Sequence, residues 1–224
     1  MSMLTNLDLL RRVPLFTALT PAQLTQLAGA VTKKRVKRGE LIVEQGKKSE
    51  SLFVILSGRA RVIMTDRRSR EVILDTLGSG DYVGEISLID GKNHTANVQA
   101  EVQTDLLELG HVEFIRCMSE NHAIANSVIK GLVHRLRKAD EKISSLALMD
   151  VYGRVAKVLV SAAEPGEDSS LVIHDKMTRQ DIAKMVGASR EMVSRVMRDF
   201  EEQGFIKTQE DGSVVLKERR SSLR

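Results

Sequence analysis

The stretch MTRQDIAKMVGASREMVSRVMRDFEEQGFI, Met177–Ile206, alternates apolar and charged residues around one central glycine. Thr178 stands at an N-cap position with Asp181 three residues on, approximating a capping box, and a carboxylate there suits the positive end of a helix starting at Arg179. Ile182, Met185 and Val186 make one inner face, and Ala183 is small where a second helix would cross closely. Gly187 falls where a tight interhelical turn needs a positive φ. Ser189 can cap the next helix, whose Val193, Val196, Met197 and Phe200 recur at i, i+3, i+4 and i+7 and so face inward. The opposite face carries Glu191, Ser194, Arg195 and Arg198, with Arg190 at its exposed N-terminus.

Two such helices are followed by GFIKTQEDGSVVLKE, Gly204–Glu218, where Asp211-Gly212 separates two β-prone runs as a hairpin turn. The pattern predicts a helix-turn-helix with a hairpin wing. Charge is focused on it: Lys176, Arg179, Lys184, Arg190, Arg195 and Arg198 oppose only Asp181 and Glu191, while the whole chain carries a net +4. That focus fits a local phosphate-binding surface; a helical hairpin with no ligand explains the apolar faces but not the charge. In the DNA-reading arrangement the first helix rests on the backbone and the second enters the major groove of duplex DNA. Arg190 and Arg195 can donate to guanine O6 and N7, and Glu191 can accept from cytosine N4. Thr178, Arg179 and Gln180 suit phosphates that fix register. Ser189 and Ser194 complete the expected DNA-facing set.

Upstream, residues 1–30 read as helical, with Thr20-Pro21 as N-cap and first helical residue. From about Lys33 to Glu108 short runs rich in Val, Ile and Leu (ELIVEQG, SLFVILSG, ARVIM, REVILDTL, DLLEL) are punctuated by Gly39, Gly46, Gly58, Gly80, Gly84 and Gly91. Glycine-spaced strands of this kind predict a small double-sheet barrel or jelly roll. KKRVKR, Lys33–Arg38, and DRRSRE, Asp66–Glu71, read as a solvated strand edge and a hairpin tip. Ile129, Leu132, Leu136, Ala139, Ile143 and Leu146 then recur at spacings of 3 and 4, an a/d seam with one copy per chain. A parallel homodimer is the expected partner; the alternative is one core helix packed on the barrel. AAEPGEDSS, Ala162–Ser170, reads as an exposed loop. The expected fold is α+β, with an N-terminal β-roll (1–122), a long dimerisation helix and hinge (123–149) and a C-terminal winged helix-turn-helix (150–224).

Composition narrows the function classes. No apolar run approaches the roughly 20 residues of a membrane span, and MSMLTNLDLLRRVPLF lacks the layout of a signal peptide, so a cytoplasmic protein with no membrane partner is expected. The single Cys117 excludes an internal disulfide framework and a four-cysteine zinc or iron–sulfur site. A barrel metalloenzyme with an attached DNA module would want clustered histidines and a glutamate on adjacent strands; His94 and His111 stand without an HxH pair. No metal is expected and the chain reads as a non-enzyme.

LFVILSGRARV, GDYVGEISLIDG, RLRKADEKISSLALMDVYGRVAKVL and the stretch from Thr178 to Ile206 together resemble the cAMP receptor protein / fumarate-nitrate regulator (CRP/FNR) transcription factors over nearly the whole chain. The resemblance implies a homodimer on an inverted repeat, with Arg190, Glu191 and Arg195 reading TGTGA-like half-sites, and RNA polymerase as a protein partner. Met192 departs from the threonine usual in the cAMP receptor branch. The resemblance also implies a cyclic nucleotide effector. Gly84 and Glu85 match the family's glycine-glutamate pair, Glu85 suiting a ribose hydroxyl, and Arg135 is kept. The phosphate arginine is replaced by His94, followed by a fitting Thr95; Ala139 and Asp140 replace a threonine-serine pair, and Asp75 replaces a small polar residue. A neutral imidazole is a poor substitute for a guanidinium fork. The two carboxylates suit guanine N1–H and N2–H₂, with Arg137, Arg59 or Arg61 for O6 and N7, and Arg137–Asp140 has the RxxD spacing of cyclic di-GMP sites. Cyclic di-GMP is therefore favoured over cAMP as effector, with a ligand-independent regulator or a haem sensor using His94 or His111 left open.

Overall fold

The computed structural model describes residues 5–48, 50–166, 170–174, 177–209 and 212–217. These fall into two compact units, Met1–Arg137 and Lys138–Arg224. The division lies inside one long helix, whereas the expected boundaries at 122 and 149 follow that helix's ends.

The first unit opens with α1 (Asn6–Leu10) and α2 (Pro21–Ala30), each N-capped by a threonine in a full capping box, Thr5 with Asp8 and Thr20 with Gln23. A 3₁₀ turn at Pro14–Phe16 divides them, so the expected helical zone is interrupted where proline removes a backbone donor. The Asn6 amide ties α1 to the end of α2, donating to the carbonyls of Ala28 and Val31 at 3.0 Å each.

Among the described residues eight strands follow: β1 (Val31–Val36), β2 (Leu41–Val43), β3 (Ser51–Ser57), β4 (Ala60–Thr65), β5 (Glu71–Leu77), β6 (Tyr82–Val83), β7 (Asn97–Ala100) and β8 (Thr104–Gly110). They pair antiparallel in two four-stranded sheets, ordered β1-β8-β3-β6 and β2-β7-β4-β5, which is the expected β-roll. Val54, Leu107 and Leu109 pack with α1 and α2 in one core, and Ile55, Val98 and Leu106 fill another. Arg35 on the basic strand β1 is exposed and pairs with Asp105 directly opposite on β8, Nε to Oδ1 at 2.6 Å. DRRSRE does form the β4–β5 tip, where Asp66 Oδ1 accepts from the amides of Arg68 and Arg70 at 2.8 and 2.9 Å. One segment within the strand zone is helical: EISLID folds as α3 (Glu85–Asp90), between Gly84 and Gly91, both left-handed. α4 (His111–Glu120) and α5 (His122–Leu148) follow.

In the second unit Asp150 N-caps α6 (Val151–Ala162), accepting from the Gly153 amide at 2.8 Å. The expected loop Ala162–Ser170 is corrected here: α6 includes Ala162, and Glu164–Pro165 form a short edge strand, β9. β9 pairs with β10 (Leu171–Ile173), a strand the sequence reading passed over. Proline is tolerated there because an edge strand leaves one side of its backbone unpaired. Glu167–Ser169 of that stretch lie outside the described residues. α7 (Arg179–Val186) and α8 (Arg190–Glu202) precede the wing, β11 (Ile206–Thr208) and β12 (Val214–Leu216). The wing hairpin pairs Thr208 with Val214 and Ile206 with Leu216, as expected, and Gly212 has φ +86°; Asp211 lies outside the described residues. The sheet order is β11-β12-β10-β9. Val155, Leu159, Ile182, Val186, Val193, Val196 and Met197 form the core between α6, α7 and α8.

Candidate nucleic-acid interface and effector pocket

The α7–α8 geometry follows from its caps. Thr178 Oγ1 accepts from the Asp181 amide at 3.0 Å, and the Thr178 amide donates to the Asp181 carboxylate at 3.4 Å, closing the capping box. Gly187 adopts φ +65°, ψ +45°, the left-handed turn that a Cβ disfavours. Ser189 Oγ accepts from the Met192 amide at 3.1 Å and starts α8. Val193, Val196 and Met197 are buried, which forces the opposite face outward. Arg190, Glu191, Arg195 and Arg198 are exposed and Ser194 half-buried; the five line one open concavity of about 450 Å³. Among the described residues none of the three arginines forms an ion pair, so their donors are free. Backbone hydrogen bonding at the helix start, helped by Ser189, holds the Glu191 carboxyl below the ordinary range. It stays an anion, able only to accept. Thr178 and Gln180 are exposed and Arg179 half-buried at the start of α7, one cap away from α8. Lys176, part of the basic cluster, lies outside the described residues.

In the β-roll, Gly84 at φ +102° starts α3 and turns Glu85 inward, where it is 1% exposed. Arg135 of α5 donates to one Glu85 oxygen and to the Tyr82 carbonyl, and its guanidinium lies 5.1 Å from the Tyr82 ring centroid. The second Glu85 oxygen, Oε2, and the Tyr82 hydroxyl are buried without a protein partner. Burial pushes the Glu85 carboxyl up, and the charge of Arg135 only partly reverses this. Two orphaned polar atoms beside a cation make a socket for a hydroxyl-bearing ligand. Sequence reasoning found Glu85 and Arg135 but missed Tyr82 and Gly131. A Cβ on Gly131 would overlap the Tyr82 hydroxyl, so glycine is what lets α5 approach β6. The position of Tyr82, two residues before Gly84 in GDYVGE, was the available signal.

The remaining pocket residues do not gather there. His94 is half-buried, and burial lowers its pKa, leaving a neutral imidazole. It lines a different cavity, about 330 Å³, with Glu44, Lys47, Glu50, Phe53 and Glu108, which contains neither Glu85 nor Asp75. Thr95 beside it is exposed. Arg61 and Arg59 share the Glu101 carboxylate, Arg59 Nε at 2.8 Å, so both arginines suggested for guanine are already paired. Asp75 is half-buried on β5, its carboxylate accepting from the Thr76 amide at 2.9 Å. Arg137, Ala139 and Asp140 are exposed on α5, Arg137 and Asp140 one turn apart.

Along α5 the proposed seam is largely uncovered: Ile129, Leu136, Ile143 and Leu146 are 54, 62, 63 and 47% exposed. Ala139 is exposed with them. Leu132 instead packs on the β-roll core, and Val133, 45% exposed, takes its place on the stripe. The spacing of 3 and 4 is satisfied by either residue, so periodicity alone does not choose between them.

A β-roll holding a glycine-glutamate socket, joined in one chain to a winged helix-turn-helix with an exposed basic face, defines a DNA-binding regulator with a sensor-type domain. Residues 33–121 match the cyclic nucleotide-binding domain and residues 153–221 the Crp-like helix-turn-helix domain. The chain is 32% identical over 200 residues to the cAMP-activated global transcriptional regulator Vfr of Pseudomonas aeruginosa, spanning 86% of this chain and 92% of Vfr. It is also 32% identical to the cAMP-activated global regulator CRP of Salmonella typhimurium, over 74% of this chain and 80% of CRP. The chain belongs to the CRP/FNR family of transcription regulators. The fold is shared with the c-di-GMP-responsive global regulator CLP of Xanthomonas campestris (TM-score 0.73, 23% identity, 89% of this chain and 100% of that chain). It is shared too with a crp/fnr-family regulator of Eubacterium rectale (TM-score 0.76, 22% identity, 94% and 96% of the two chains). The relatives are transcription regulators rather than enzymes, and among the described residues no helix is long and apolar enough to cross a membrane.

Proposed function

We propose that the protein works as a cytoplasmic homodimer that places α8 of each protomer in the major groove of an inverted repeat with TGTGA-like half-sites, with RNA polymerase as its protein partner. Its effector is a cyclic nucleotide, and cyclic di-GMP is favoured over cAMP. The observation that carries this preference is His94. A half-buried imidazole kept neutral stands where relatives named as cAMP-activated are expected to hold a phosphate with arginine. In the sequence, Asp75 and Asp140 are carboxylates of the kind that accepts from guanine, and position 94 lacks the arginine fork that suits a phosphate. The Glu85–Arg135 socket supports the second reading, a weakened cAMP site.

Calorimetry on the full-length protein with both nucleotides separates the two. If carboxylates hold guanine, Asp140→Ala abolishes cyclic di-GMP binding and spares the dimer. Loss of one charged acceptor costs about 1.5–3 kcal/mol, a tenfold or greater loss of affinity. If the site is a weakened cAMP pocket, His94→Arg improves cAMP binding and Asp140→Ala does little. No heat from either nucleotide overturns both.

A further inference from the structure

The Tyr152 hydroxyl, at the start of α6, donates to the Asp199 carboxylate on α8. The contact crosses from one helix to the other and is held from behind. The Tyr152 ring meets Phe200 edge-on with centroids 6.0 Å apart, and Phe200 meets Phe205 in the same way at 6.0 Å. This ladder fixes the ring, so the hydroxyl has one direction to point. Asp199 follows Arg195 by four residues, one turn along the same helix face. An aspartate at that spacing is within reach of the arginine as an intrahelical partner, in the weaker order with the base N-terminal to the acid. Yet Arg195 has no ion pair among the described residues, and Asp199 is bound to Tyr152 instead. Arg195 is still close: its charge opposes the upward push that Asp199 gives the Tyr152 hydroxyl.

We infer that Tyr152 is a positioning residue for DNA reading: by engaging Asp199 it keeps that carboxylate off Arg195 and leaves the guanidinium free for a base edge. The inference rests on the reading of Arg195 as a base-contacting residue. It gives Asp199 the role of a competitor for Arg195 and Tyr152 the role of its restraint. Because Tyr152 lies two residues past the Asp150 cap, the restraint sits where α6 begins.

The test uses the full-length protein, a duplex selected by that protein from a randomised inverted-repeat pool, and a scrambled duplex of the same length. Tyr152→Phe keeps the aromatic ladder and removes only the hydroxyl. It lowers preference for the selected duplex about 1.5- to twofold, the scale of one i,i+4 ion pair, with the scrambled duplex little changed. Adding Asp199→Asn restores the preference, since the amide cannot hold Arg195 as an anion does. On an Arg195→Ala background Tyr152→Phe has no further effect. A normal preference in Tyr152→Phe, a double variant as weak as Tyr152→Phe alone, or an added loss on the Arg195→Ala background overturns the inference. If Arg195→Ala itself keeps the wild-type preference, Arg195 reads no base and both readings fall.

Discussion

Arg135 of α5 closes on Glu85 at the start of α3, a cation 28% exposed in its side chain paired with a carboxylate 1% exposed. Burial of the acid outweighs the help it gets from the base, so the Glu85 carboxyl sits above its ordinary value of 4.5 in the fold. An acid raised in this way contributes full stability below about pH 4.5, and that contribution is lost as pH rises through its folded value. Glu85→Gln removes the titration. The difference in Tm between Glu85→Gln and wild type should therefore move in the variant's favour between pH 4 and pH 7. A difference that is flat or moves the other way would mean that Arg135 dominates the site.

The fit of α5 against β6 is tested at Gly131. Alanine there gains helix propensity of about 0.5–1 kcal/mol. It also drives a methyl into the Tyr82 hydroxyl. Overpacking of this kind costs about 1–3 kcal/mol, so Gly131→Ala should be destabilised in urea unfolding. Adding Tyr82→Phe should recover most of the loss. Equal stability of the two alanine variants would show that the hydroxyl is not the obstacle.

On the DNA face, Arg190→Ala should cost about 1–3 kcal/mol and relax preference at a single guanine. Arg179→Ala, at the start of α7, should weaken all sequences alike and flatten the salt dependence. Binding titrations on specific and random duplexes at several salt concentrations read both effects. An Arg190→Ala protein that loses specific and random binding equally would dismiss α8 as the reading helix.

The exposed stripe of α5 makes a claim about assembly. Leu136 is 62% exposed in one chain, so a glutamate there should leave the monomer folded but place an unpaired charge in the seam of a dimer. Light scattering should show Leu136→Glu as a monomer with reduced affinity for the inverted repeat. A dimer of unchanged stability would refute the seam.

The DNA-binding element was the most legible part of the sequence because local chemistry determines it. Thr178, Gly187 and Ser189 each do in the fold what the spacing of cap, glycine and cap requires. The strands of the β-roll were legible for the same reason, as apolar runs between glycines. What was missed depends on partners distant in sequence. EISLID has the composition of a strand, yet glycines at both ends close it as a helix under Arg135. Leu132 and Val133 are equally apolar, and only the β-roll core decides between them. The effector site was legible as single residues but not as a constellation. No spacing rule says that Arg61 is paired with Glu101 or that His94 lines a cavity apart from Glu85.

Among the described residues the sheet beside α8 ends in two edge strands, β9 and β11, and each carries a feature that disfavours strand addition. On one side Pro165 of β9 offers no amide hydrogen to an incoming strand. On the other, β11 exposes Lys207, whose charge resists a second sheet edge but welcomes a polyanion. A strand approaching the wing sheet from either side therefore meets a proline or a lysine, neither of which favours its addition.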